Sequence, residues 1–184
     1  MLVIDVAALS PAEVGPNTPE LQRLAARGGL YPLREPFPSL TCPSHATLLT
    51  GSLPSAHGMI GNCLYSREYA KLFNWNRSSH LVAGTPLWEA ARARDPRVRT
   101  ANLFLRNCAD SSCEIRVTER PVYWISGHKQ FEFFAEPNAL HAELVHKLGP
   151  FPFMNFWGPL SNIKSSQWVI GAASKPPSRT RQYS

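Results

Sequence analysis

Phe37-Pro38-Ser39-Leu40-Thr41-Cys42-Pro43-Ser44-His45 runs directly into Ala46-Thr47-Leu48-Leu49-Thr50-Gly51. Pro36 and Pro38 hold the approach in a loop, Pro43 suits the start of a helix over 44–50, and Gly51 ends it. Thr41 falls just before that helix. Backbone N–H groups and the positive end of the helix dipole favour an anion there. A threonine hydroxyl is a poor nucleophile until a base or a metal lowers its pKa. Taken alone, Thr41 reads equally well as a helix cap.

Working outward, Leu2-Val3-Ile4 is an apolar run that stops at Asp5, which predicts a buried parallel strand with an acid at its C-terminal end. Thr18-Pro19-Glu20 opens a helix that runs to Arg27 and closes at Gly28-Gly29. A short strand is expected over 30–33. Beyond Gly51 the chain is loop-rich to residue 84, with a hairpin around 65–76. Thr85-Pro86 caps a helix to Arg94, and Arg99–Leu105 is β-like. Residues 106–136 read as an irregular insert with some strand. Pro137–Leu148 is an amphipathic helix, Phe151–Trp157 a strand, and Ile163–Ala173 a helix. Alternating strands and helices predict an α/β fold with a mainly parallel sheet. Ligands in such folds bind beyond the C-terminal ends of the strands, where Asp5 and the Thr41 region both lie.

Composition narrows the choices. The chain has 184 residues and is 43% hydrophobic, enough for a core and too apolar for a disordered chain. Seventeen prolines argue against an all-helical bundle. No apolar run is long enough to span a membrane. No basic start followed by an apolar stretch marks a secretory signal, so a cytoplasmic location and no membrane partner are expected. The net charge of +6 is concentrated late, since Lys147, Lys164, Lys175, Arg179 and Arg181 follow the last acid, Glu143. A short basic tail is a poor match for a nucleic-acid face, which wants clustered basic and aromatic residues on a folded surface. Cys42, Cys63, Cys108 and Cys113 include no CxxC pair. Cys108 and Cys113 could pair in an oxidising compartment; free thiols are the simpler expectation, and a zinc ribbon is excluded by the spacing.

Two further residues have chemical uses. A carboxylate at a strand end, such as Asp5, is a common metal ligand, although a loop or capping acid is the more ordinary role. In His57-Gly58-Met59-Ile60-Gly61-Asn62 the Asn62 amide offers two N–H donors to a developing oxyanion, or serves a turn. The combination is more specific than its parts. Asp5 after an N-terminal run, Thr41-Cys42-Pro43-Ser44-His45 ending in Leu49-Thr50-Gly51, and Leu53-Pro54-Ser55-Ala56-His57-Gly58 leading to Asn62 resemble the nucleotide pyrophosphatase/phosphodiesterase family of the alkaline phosphatase superfamily. Thr85-Pro86-Leu87-Trp88 and Val98–Phe104 resemble later segments of the same family. The resemblance covers residues 1 to about 173, and 37–62 is its most specific part.

The resemblance implies a three-layer αβα sandwich and metal-dependent hydrolysis of a phosphodiester or pyrophosphate in a small-molecule phosphate ester or nucleotide. It assigns Asp5 and Thr41 as ligands of one of two zinc ions, Thr41 as the in-line nucleophile, and Asn62 as the donor to a non-bridging oxygen. Cys42 stands where the family has an aromatic residue and Ser44 where it has Asn. The family's other metal ligands are Asp and His residues of later segments. Here no Asp follows Asp110, and His128, His141 and His146 lack a matching Asp, so at most one partial zinc site is expected. His141 and His146 are expected at the surface. Residues 1–173 thus read as the N-terminal part of a catalytic domain and 174–184 as an irregular basic tail; the expectation is a truncated form of impaired activity whose last residues come from a shifted frame, the rival being a genuine C-terminus of a short variant. The alternatives are a domain that binds phosphate esters without turnover, and a phosphomonoesterase or phosphonate hydrolase of the same superfamily. A sulfatase is disfavoured by threonine at the nucleophile position.

Overall fold

A computed structural model describes residues 1–174. They fall into two compact units, Met1–Glu35 and a second that begins at Pro36. The expected basic tail lies, from Lys175 onward, outside the described residues.

The first unit has one short 3-10 turn, Pro11–Glu13, and helix α1, Pro19–Gly28. Glu13 folds back so that its carboxylate accepts the Ser10 backbone N–H at 2.6 Å, a capping box. Helix α1 has Pro at its start, Glu20 in the first turn and Arg27 in the last, each complementing the helix dipole. The two strands expected in this unit are absent: residues 2–4 and 30–33 have no regular structure. Leu2 and Ile4 are 79% and 70% exposed, so the buried-strand expectation is corrected. An apolar run becomes a strand only where a neighbouring strand takes its backbone groups, and these segments pair with none among the described residues.

The second unit carries helices α2 (Thr41–Thr50), α3 (Pro54–His57), α4 (Leu87–Arg94), α5 (Ala139–Leu148) and α6 (Ile163–Ser174). Its strands are β1 (Cys63–Ser66), β2 (Lys71–Asn74), β3 (Ala101–Leu103), β4 (Ile115–Tyr123) and β5 (Lys129–Glu136). β1 and β2 form an antiparallel hairpin. β3, β4 and β5 form a sheet in that order, with β3–β4 parallel and β4–β5 antiparallel. The described residues are therefore mixed α/β with two small sheets, and the expected mainly parallel sheet is not what they form. The region expected to be irregular holds the longest pairing, Arg116–Tyr123 against Lys129–Glu136. Pro121 is tolerated in β4 because β3 pairs only as far as Val117, leaving no ladder bond for its missing N–H on that side. Phe151–Trp157, expected as a strand, contains a 3-10 turn instead, Phe153–Asn155.

The main core lies between β4–β5 and helices α5 and α6. Val117, Phe133, Leu140, Leu144, Phe151 and Trp168 are buried together there. Phe133 is edge-on to Trp168 at 4.9 Å and stacks on His141 at 4.3 Å. Burying each large side chain contributes about 1.5–3 kcal/mol. His141 keeps 37% of its side chain exposed, at the surface as expected, and its Nε2 lies 3.1 Å from Glu132 Oε1 of the sheet; His146 is exposed. A second cluster, Cys42, Ala46 and Met59 with Trp75 packed against it, joins α2 to the hairpin. All four cysteines are free.

Candidate functional site

Helix α2 begins at Thr41 itself, three residues earlier than the proline pattern suggests. Leu40 is its N-cap in an extended conformation, and no side chain caps the helix. Pro43 fits inside the first turn because the first four N–H groups of a helix have no partner within it. Thr41 is exposed, while Cys42 and Pro43 behind it are buried.

The Cys42 backbone N–H donates to Asn62 Oδ1 at 2.9 Å. That bond ties the Asn62 side chain to the first turn of α2. Of the first three positions of α2, Pro43 has no N–H and that of Cys42 is already engaged. This leaves the Thr41 N–H, and the Asn62 side chain tied to the same turn adds an amide with NH2 donors. Asn62 is itself anchored through its carbonyl, which accepts the Trp75 backbone N–H at 2.8 Å and extends the β1–β2 ladder by one pair.

The turn that delivers Asn62 is built on His57, which is 1% exposed. Its Nδ1 accepts the Met59 backbone N–H at 3.1 Å, so the ring proton sits on Nε2, 3.0 Å from Thr47 Oγ1 on α2. The His57 carbonyl accepts the Ala83 N–H at 2.9 Å. Burial lowers the pKa of His57 and keeps it neutral, as its accepting Nδ1 requires. Gly58 follows at φ 77°, a left-handed position that ends α3.

The Cys42 thiol is buried, and burial raises its pKa, partly offset by Arg106. It packs against Ala46 and Met59 and presents no rival nucleophile. The next layer consists of residues that sequence reasoning did not single out. The Arg106 backbone N–H donates to His45 Nδ1 at 3.0 Å. Its guanidinium is ion-paired with Glu119 of β4, the two side chains being 3% and 0% exposed. It also packs on the rings of Trp75 and Trp157. No local pattern marks this group, whose members come from four separate segments.

Asp5 belongs to the first unit, exposed and outside any helix or strand. Among the described residues no group of three or more His, Cys, Asp and Glu side chains is gathered to hold a metal. The described donors fall short of a two-zinc centre. No helix among the described residues is long and apolar enough to cross a membrane.

Comparison with known proteins agrees with the motif. Over 57 residues the chain is 40% identical to a Schizosaccharomyces pombe protein named an uncharacterised pyrophosphatase/phosphodiesterase. The matched stretch is 30% of this chain and 12% of the yeast protein, so the chain spans a small part of that relative's length. No solved structure matches. The model of the type I phosphodiesterase/nucleotide pyrophosphatase family matches residues 1–180, and the chain belongs to that family.

Proposed function

We propose that the chain acts on a small phosphodiester or nucleotide pyrophosphate at the start of α2. Thr41 is the nucleophile and Asn62 the donor to a non-bridging phosphoryl oxygen. The observation that supports this most is the Cys42–Asn62 bond, which ties an amide side chain to the first turn of the helix that begins at exposed Thr41. In the reaction the Thr41 hydroxyl gives up its proton to solvent water as the Oγ–P bond forms and the ester or anhydride P–O bond breaks. The leaving oxygen takes the electron pair, and water later cleaves the phosphothreonine. Negative charge grows on the oxygens facing Asn62.

Asp5 and Thr41 as zinc ligands belong to the same reading, and bound zinc supplies Lewis-acid activation of an alcohol. With no cluster of further ligands among the described residues, turnover by this chain is expected to be slow. Residues 1–173 are then part of an alkaline phosphatase-like catalytic domain whose complete sheet is mainly parallel. That same ligand shortage favours a second reading, a domain that binds phosphate esters at Asn62 without cleaving them.

The test is hydrolysis of bis-p-nitrophenyl phosphate by the full chain with added zinc, beside inorganic phosphate binding followed by ³¹P NMR. Cleavage abolished by Thr41→Ala supports the nucleophile. Phosphate binding without cleavage, lost in Asn62→Ala, selects the binding domain. Cleavage that survives Thr41→Ala overturns the assignment.

A further inference from the structure

We infer that Arg106 is a positioning residue for the Thr41–Asn62 pair, holding α2 and the Asn62 turn in one geometry; the functional part of this inference rests on the reading above. Arg106 reaches both halves of the pair by separate routes. Its backbone N–H holds His45, four residues into α2 from Thr41. Its side chain holds Trp75, whose own backbone N–H carries the Asn62 carbonyl.

The side-chain hold is specific in shape. The guanidinium carbon lies 4.7 Å from the Trp75 ring centre and 5.0 Å from that of Trp157. The two rings are 5.5 Å apart and tilted by 45°. Arg106 therefore closes a triangle with two indoles. The ion pair with buried Glu119 anchors it to β4. A planar cation that both stacks and pairs fits this place, and a lysine ammonium does not.

Backbone strain marks the same spot. Trp75 has φ 51°, Phe104 φ 62° and Asn107 φ 57°. Bulky residues in the left-handed region persist only where their surroundings over-determine them. Here the two strained segments grip each other. Asn107 Nδ2 donates to the Ser78 carbonyl at 3.2 Å, and the Ala109 N–H donates to the Arg77 carbonyl at 3.0 Å. Arg106 sits inside that grip, so the conformation of Trp75, and with it the height of Asn62 over α2, depends on its side chain.

The experiment is NMR on the full labelled chain, comparing Arg106→Lys and Trp157→Leu with Val145→Ala, a half-buried α5 position packed on the main core. The readouts are hydrogen exchange at the Cys42 amide, the Asn62 side-chain NH2 resonances, and the inorganic phosphate concentration that half-shifts them. Arg106→Lys is expected to speed Cys42 exchange at least tenfold and to move the Asn62 resonances. Trp157→Leu should do the same more weakly, and Val145→Ala should leave both within about twofold. The inference is overturned if Arg106→Lys leaves Cys42 and Asn62 unchanged, or if Val145→Ala disturbs them equally. Should Arg106→Lys fail to fold, Trp157→Leu alone decides by the same comparison. If inorganic phosphate leaves the wild-type Asn62 resonances unmoved, it is the proposed function that fails, while the exchange data still judge the Arg106 coupling.

Discussion

Asn62 accepts the Cys42 backbone N–H through Oδ1 at 2.9 Å, and the same amide carries an NH2, so acceptor and donor can be separated by substitution. An aspartate at position 62 keeps the acceptor, and its charge suits a helix N-terminus. It loses the donor and repels an anion. Asn62→Asp is therefore expected to unfold within about 1 kcal/mol of the wild type in urea, yet to bind inorganic phosphate at least tenfold more weakly. Asn62→Ala loses both functions and about 1 kcal/mol of stability. If Asn62→Asp binds phosphate as the wild type does, the side chain is a structural acceptor only.

His57 gives stability a definite pH slope. Burial lowers its pKa from the usual 6.5. Between that value and the lowered folded one, the unfolded chain holds a proton that the folded chain does not. The contribution of His57 is thus complete above pH 6.5 and is lost as pH falls through the folded pKa. The limiting slope is about 1.4 kcal/mol per pH unit for one proton. Urea midpoints between pH 7.5 and 5, wild type against His57→Gln, isolate this term. The wild type should lose stability faster on acidification, and parallel curves would count against a neutral, buried His57.

How far the sequence could be read follows from where the information sits. The end of α2 at Gly51, the Asn62 turn and helices α1, α4, α5 and α6 were legible because capping residues, prolines and apolar spacing act locally, whereas the start of α2 lies three residues before the proline pattern put it. Leu2-Val3-Ile4 misled because a strand needs a partner as well as an apolar run. The β4–β5 pairing was hidden because β4 carries Arg116, Glu119, Arg120 and Pro121, whose presence makes sense only once Glu119 meets Arg106. Arg106 itself lies at the start of the stretch read as an irregular insert. Its role arises from Trp75, Glu119 and Trp157, and no motif spans those separations.

The Arg106–Glu119 pair should be costly to break and cheaper to replace. Burial pushes the Glu119 carboxyl up and Arg106 pulls it back, while Thr118 Oγ1 donates to Glu119 Oε2 at 2.9 Å. Glu119→Gln leaves a buried guanidinium without its counter-charge, and a loss of about 3–5 kcal/mol is expected. The double variant Arg106→Met, Glu119→Leu removes both charges and should be more stable than Glu119→Gln. Chemical denaturation of the three proteins checks the order. A Glu119→Gln within about 1 kcal/mol of wild type would mean that the pair is not electrostatically coupled in solution.

The thiols report folding in a different way. Cys63 is exposed on β1, whereas Cys42, Cys108 and Cys113 are buried. Burial, helped by Cys113 and Glu119, pushes the Cys108 thiol up to about 12, so almost none of it is thiolate at neutral pH. With Ellman's reagent under native conditions one thiol should react rapidly because it is exposed, and Cys63→Ser should abolish that phase. The three buried thiols should react only as the chain opens, with rates that follow added urea. Rapid modification of Cys108 in the absence of denaturant would contradict its burial. The loss of two thiols together on mild oxidation, retained in Cys63→Ser and abolished in Cys113→Ser, would show instead that Cys108 and Cys113 can be brought into bonding distance.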